Sequence, residues 1–237
     1  MITLVSAFVY LGKDKSFKSF DEYFSNGIKL LKLDIPKVIF MDKSIIESFY
    51  EYQNLFTIIL PTSLEGLYLS DYTFENEVIS TNKKKDTSDY FRIQCNKTEW
   101  VREAINRADF KSDNYIWIDF GIFHILKEPF SFENIVSSNY NSAIRIGSIW
   151  DISILPCDDL YHRIQWYFAG GIFGGHPDQL IKFADLVKEK CLDIIYHKHT
   201  LMWEVNVWYL VYLQNKNLFN IYRANHDNTL LQKYTLT

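Results

Sequence analysis

Cysteine is scarce in this chain. Cys95, Cys157 and Cys191 are odd in number, far apart and without a CxxC pair, a pattern that argues against a disulfide framework or a thiolate zinc site and fits a reducing, cytoplasmic setting. An excess of positive charge is missing too. The 25 Lys and Arg against 29 Asp and Glu leave a formal net charge of -4, so no long-range field draws the chain to a phosphate backbone, and no nucleic-acid partner is expected. No apolar run approaches the roughly 18 residues of a membrane span. The opening MITLVSAFVYLG has neither a basic region nor a small-residue cleavage site, so neither a leader nor a transmembrane segment is expected. Also absent are the phosphate loop GxxxxGK followed by Ser or Thr, and a GxGxxG after the first apolar run.

What is present is an ordinary folded composition, 48% hydrophobic and 23% charged over 237 residues, enough for one core and one domain. Residues 2–10 form an apolar, β-prone run suited to a strand buried on both faces. A capped helix follows over 19–33, a strand over 37–41, a short helix over 45–52 and a strand over 56–60 that stops at Pro61. This alternation predicts an α/β fold with a mostly parallel, Rossmann-type sheet flanked by helices. Residues 70–89 turn polar and read as a surface loop or flap. A helix from Asn96 to about Ala108 then precedes a strand over 115–118. Residues 142–150 read as a strand, 161–168 as extended, 177–195 as an amphipathic helix and 203–213 as a second, highly apolar one.

Three constellations could carry chemistry. In YIWIDFG, residues 115–121, a buried strand delivers Asp119 at its C-terminal end, with Gly121 two places on; parallel sheets bind ligands at that edge. A carboxylate there suits a hard cation such as Mn²⁺ or Mg²⁺ on a diphosphate, or it caps the next turn. FAGGIFGG, residues 168–175, gathers four of the nine glycines, and Gly170 and Gly171 would let the backbone approach a ligand, or form a hairpin between packed elements. Glu204 lies on an apolar helix, where a carboxylate is expensive unless paired; it either meets a sugar hydroxyl as a base or pairs with a Lys or His. His226 and Asp227 could supply a late metal ligand or form a solvated turn. His124 could reach the Asp119 pocket, and Lys97 and Arg102 could meet a diphosphate or lie on a solvated helix face.

Taken in order, TLVSAF, NKTEWVREA, YIWIDFGI, AGGIFGG and the WE-bearing helix with a short terminal strand resemble the bacterial HtrL/YibB family and, more broadly, GT-A glycosyltransferases. The resemblance implies a GT-A-like fold, with residues 1–125 as the nucleotide-binding half and 126–237 as the acceptor half. It implies transfer of a sugar from a nucleotide diphosphate sugar, a UDP-sugar by preference, to a glycan, lipid-linked or protein acceptor. Asp119 matches the first acid of the Asp-x-Asp motif, and Gly121 stands where the second would be. Asp119, His226 and Asp227 would hold the metal. Ser6, Ala7 and Phe8 would line the nucleoside, Gly170 and Gly171 the donor sugar, and Glu204 the acidic helix position. With the second acid missing, a sugar- or nucleotide-binding protein without turnover is the alternative. Donor sugar, stereochemistry and oligomeric state stay open.

Overall fold

The computed structural model describes residues 1–12, 18–75, 78, 83–126, 132, 143–153 and 160–234. Cys157 and the start of the expected 142–150 strand lie outside them. Strand β1 (Ile2–Phe8) leads to helix α1 (Phe20–Leu31). Ser19 and Glu22 close a reciprocal capping box at the start of α1, which satisfies backbone donors that the first helical turn leaves open. Strand β2 (Lys37–Asp42) follows, then the expected short helix, of the 3-10 type (Ile46–Tyr52). Strand β3 (Thr57–Thr62) runs through Pro61. It can do so because β3 is a sheet edge, where proline's missing N–H can face away from the ladder.

Helices α2 (Ser88–Cys95) and α3 (Lys97–Arg107) then lead into β4 (Asn114–Ile118). The second half contributes β5 (Ile144–Ser148), β6 (Phe168–Gly175), α4 (Pro177–Lys198), α5 (Glu204–Gln214), β7 (Phe219–Arg223) and the single turn α6 (Thr229–Gln232). All seven strands join one sheet in the order β3-β2-β1-β4-β6-β5-β7. The pairs β1–β2, β2–β3, β1–β4 and β5–β7 are parallel, while β6 runs antiparallel to both β4 and β5. The expected mostly parallel sheet is therefore present, and it continues through both halves of the chain.

Three local readings differ. The glycine-rich segment is not a hairpin but strand β6 itself. Residues 161–167 are irregular, with strand beginning only at Phe168. Part of the polar 70–89 stretch is well packed: Glu75 N–H donates to His199 O at 2.8 Å, Phe74 is buried, and α2 opens at Ser88.

Alternating strand residues feed two cores. One takes Val5, Phe40, Trp117 and Phe173 with α2, α3, α4 and α5; the other takes Leu4, Met41, Ile118 and Ile172 with α1 and the C-terminal turn. Aromatics tie the first core across the sheet, since Trp100 stacks on both Phe40 and Trp117, and Trp117 on Phe173. Lys37 is wholly buried at the start of β2, donating to Leu33 O and, at 3.2 Å, to Thr57 Oγ1. Burial pushes its pKa down to about 8 despite the opposing pull of Asp34.

Gly27 lies where α1 presses on Phe120, the residue after Asp119, and a Cβ there would collide with the Phe120 ring. In an open helix, Gly→Ala would stabilise by about 1 kcal/mol. Here Gly27→Ala is expected to lower stability by about 1–3 kcal/mol through overpacking, read as a lower urea midpoint. A midpoint unchanged or raised would show that Phe120 is not held in place.

Candidate functional site

The order of the first four strands creates a crevice. The chain leaves β1 for α1 on one face of the sheet, whereas α3, which feeds β4, packs on the other. The C-terminal ends of the neighbouring strands β1 and β4 therefore open at a topological switch point, where sheets of this kind bind ligands. Ala7 and Phe8 from β1 line this cleft, with Asp119 and Gly121 from the end of β4. Tyr90 of α2, Lys97 of α3 and His124 close it on other sides, and Lys18 and Lys85 complete its rim.

Asp119 continues the β4–β6 ladder by one step, its N–H donating to Gly171 O at 3.0 Å, and then turns the chain by accepting Ile122 N–H at 2.9 Å. Its side chain is 37% exposed. Oδ1 accepts from Trp117 Nε1 at 2.8 Å and from Lys97 Nζ at 3.0 Å. Because α3 returns antiparallel to the strand it feeds, its first residue lies at the same sheet edge as the end of β4, and that residue is Lys97.

Lys97 is 3% exposed, and its ammonium also donates to Glu204 Oε1 at 2.9 Å and Gly170 O at 3.0 Å. Glu204 opens α5, where the helix dipole favours a carboxylate; the same dipole disfavours a cation at the start of α3. Burial would lower the Lys97 pKa, but Asp119 and Glu204 together outweigh it and hold the group above its ordinary range. Glu204 Oε2 is buried and accepts no hydrogen bond among the described residues, so Lys97 carries the compensation for that carboxylate. A Cβ at Gly170 would strike Glu204 Oε1, so any side chain there would displace the carboxylate from its place beside Lys97.

The expected site residues thus divide. Asp119, Lys97, Gly121, His124, Ala7 and Phe8 meet at the cleft. Glu204 and Gly170 lie directly behind it through Lys97, and Gly171 supports the Asp119 backbone. Ser6 is buried within the sheet, with no partner for Oγ among the described residues, and does not line the cleft. Arg102 pairs with Glu99 at 3.0 Å and Asp185 at 2.7 Å, away from the cleft. His226 is exposed and packs edge-on against Trp166 at 4.6 Å, close enough to sense the charges of Asp119, His124 and Lys85. Asp227 Oδ1 accepts from the Thr229 N–H and hydroxyl at 2.8 and 2.5 Å, fixing the terminal turn. Sequence reasoning missed Lys18, Lys85, Tyr23 and Tyr90. Burial and the nearby Asp119 push the Tyr23 pKa up to about 12, so it stays a neutral phenol in the cleft.

A divalent cation fits this donor set poorly. Among the described residues, no three His, Cys, Asp or Glu side chains gather into a metal-binding group. Asp119 and Glu204 do not form an acidic pair, because the Lys97 ammonium sits between them.

Removing Lys97 would leave Glu204 charged, buried and alone, which typically costs about 3–5 kcal/mol. Lys97→Met is expected to destabilise by that order, and adding Glu204→Gln to recover at least about 1 kcal/mol of it. The check is a denaturant-unfolding double-mutant cycle. Strict additivity would mean that the two groups do not depend on each other.

No curated protein matches the chain. Among solved structures, that of mouse Xyloside xylosyltransferase 1 in its apo form matches with a TM-score of 0.43 and 8% identity, covering 92% of this chain and 84% of that one. The model of a family described as "Bacterial protein of unknown function (HtrL_YibB)" matches residues 70–230, a span that includes α2, α3, the end of β4, β6 and Glu204. The chain belongs to the HtrL_YibB family.

Proposed function

We propose that this protein is a GT-A-type glycosyltransferase that moves a sugar from a nucleotide diphosphate sugar, a UDP-sugar by preference, to an acceptor hydroxyl. The observation that carries this reading is the cleft at the β1–β4 switch point, where one half-exposed carboxylate, Asp119, stands among Lys18, Lys85, Lys97 and His124. A diphosphate needs cations, and a sugar needs a fixed acceptor of hydrogen bonds. This cleft offers both at the sheet edge where nucleotides bind.

In the reaction, the acceptor oxygen forms a bond to the anomeric carbon while the bond from that carbon to the diphosphate oxygen breaks. The electron pair leaves on the diphosphate, and the hydroxyl proton passes to the leaving phosphate or to water. Charge therefore grows on the diphosphate, and cations held in place beforehand stabilise it without reorganising. Asp119 lines the same cleft, its Oδ1 fixed by Trp117 and Lys97, and serves there as a hydrogen-bond acceptor for a sugar hydroxyl. The geometry supports a positioning role for Glu204 rather than that of a base, since its carboxylate meets Lys97 and Gly170 rather than the open cleft.

The test is release of nucleoside diphosphate from a panel of nucleotide sugars, with and without sugar acceptors. Native protein is expected to turn over at least one donor, and Asp119→Asn to lower kcat by roughly 10²-fold, the size of effect that losing one fixed electrostatic partner produces. Binding without release by the native protein would instead establish a nucleotide-sugar-binding protein.

A further inference from the structure

The poor fit of a cation raises the question of what neutralises the donor. We propose that the diphosphate is held by the ammonium groups of Lys18 and Lys85, and that donor binding needs no divalent metal. This inference deepens the glycosyltransferase reading and depends on it.

Four observations carry it. First, Lys18, Lys85 and His124 come from three separate segments yet line the same cleft as Asp119. Second, the two lysines are close enough to repel each other, and both act on His124, in a chain whose net charge is -4. Nearby carboxylates attract both lysines, Asp119, Glu204 and Asp86 acting on Lys85 and Glu22 on Lys18, and the two ammonium groups match the roughly two negative charges of a diphosphate. Third, Lys85 is tied to the site rather than trailing from a loop. Trp203 Nε1 donates to its neighbour Asp86 at 2.9 Å, and Lys85 Nζ lies 6.0 Å from the Trp203 ring centre. Trp203 directly precedes Glu204, so the segment that carries Lys85 is anchored to the element behind the cleft.

The fourth observation is electrostatic exclusion. A divalent ion on Asp119 would have to sit beside the Lys97 ammonium, which is already 3.0 Å from Oδ1, and within the field of Lys85. Like charges at such separations repel strongly where water is partly excluded. A diphosphate entering the same space is attracted by the lysine ammonium groups, with Asp119 as the opposing charge. Lysine suits the task as a compact point charge on a long stem that can follow the phosphate as charge builds on it.

The experiment is calorimetric titration of UDP, GDP and inorganic pyrophosphate into the full chain, once in EDTA and once with Mn²⁺. It is repeated on Lys18→Met, Lys85→Met and the double variant, with thermal melts to confirm that each is folded. The expected result is at least one ligand whose Kd in EDTA lies within about threefold of that in Mn²⁺. Each single variant should weaken that binding by roughly tenfold, in line with loss of one charged hydrogen bond, and the double variant should weaken it further. Binding that appears only with Mn²⁺ overturns the inference while leaving the donor site standing. Metal-free binding indifferent to both lysines overturns the assignment to Lys18 and Lys85. No binding of any of the three by folded native protein removes the donor site and this inference with it.

Discussion

A lysine ammonium kept from water between two carboxylates governs how this sheet edge is built. Lys97 could not remain charged at the start of α3 on its own, because burial and the helix dipole both oppose it. Asp119 and Glu204 reverse that balance, and in doing so they join three elements distant in sequence: the end of β4, the start of α3 and the start of α5. The Gly170 carbonyl adds β6 to the same ammonium. The absence of a side chain at Gly170 allows Glu204 to come close enough.

The sheet supplies the place for this cluster. Its first four strands carry helices to opposite faces, opening a crevice between β1 and β4, and its two aromatic-rich cores leave that edge little freedom. On one side, the stack through Phe40, Trp100, Trp117 and Phe173 sets the plane of Trp117, whose indole N–H fixes Asp119. On the other, Phe8 stacks on Phe120 with rings 8° from parallel, locking the chain just after Asp119. The carboxylate is thus presented to the cleft from a backbone packed on both sides, the condition for electrostatics that do not reorganise during a reaction.

Much of this was legible in the sequence. The strands around residues 2–8, 37–42 and 114–118 announced themselves by continuous apolar, β-prone runs, and Asp119 by being a charge at the end of one. The glycine-rich run did not announce itself as a strand because glycine weakens strand propensity, whereas in β6 the missing side chains make room for Glu204 and Tyr234. Glu204 stood out as a charge in an apolar frame, while Lys97 lay in a polar stretch and was read as a diphosphate contact or a solvated helix residue; in the structure the two form an ion pair. That they pair with each other across 107 residues could not be read from local spacing. Lys85 was hidden in a lysine run that resembles any solvated loop, and the contacts of Asp86 and Lys85 with Trp203 reveal where it is held.

The two buried lysines among the described residues offer the sharpest comparison. Lys37 has no carboxylate within hydrogen-bonding reach among the described residues, and its pKa falls to about 8, whereas Lys97 has two and rises above the ordinary lysine value of 10.5. Nitrogen-15 NMR of the lysine Nζ groups, followed with pH and assigned by Lys37→Met and Lys97→Met, measures both directly. The account predicts that Lys37 loses its proton near pH 8 while the Lys97 ammonium persists to a distinctly higher pH. A Lys97 that turned neutral at or below the pH at which Lys37 does would contradict the charged bridge at the centre of the site.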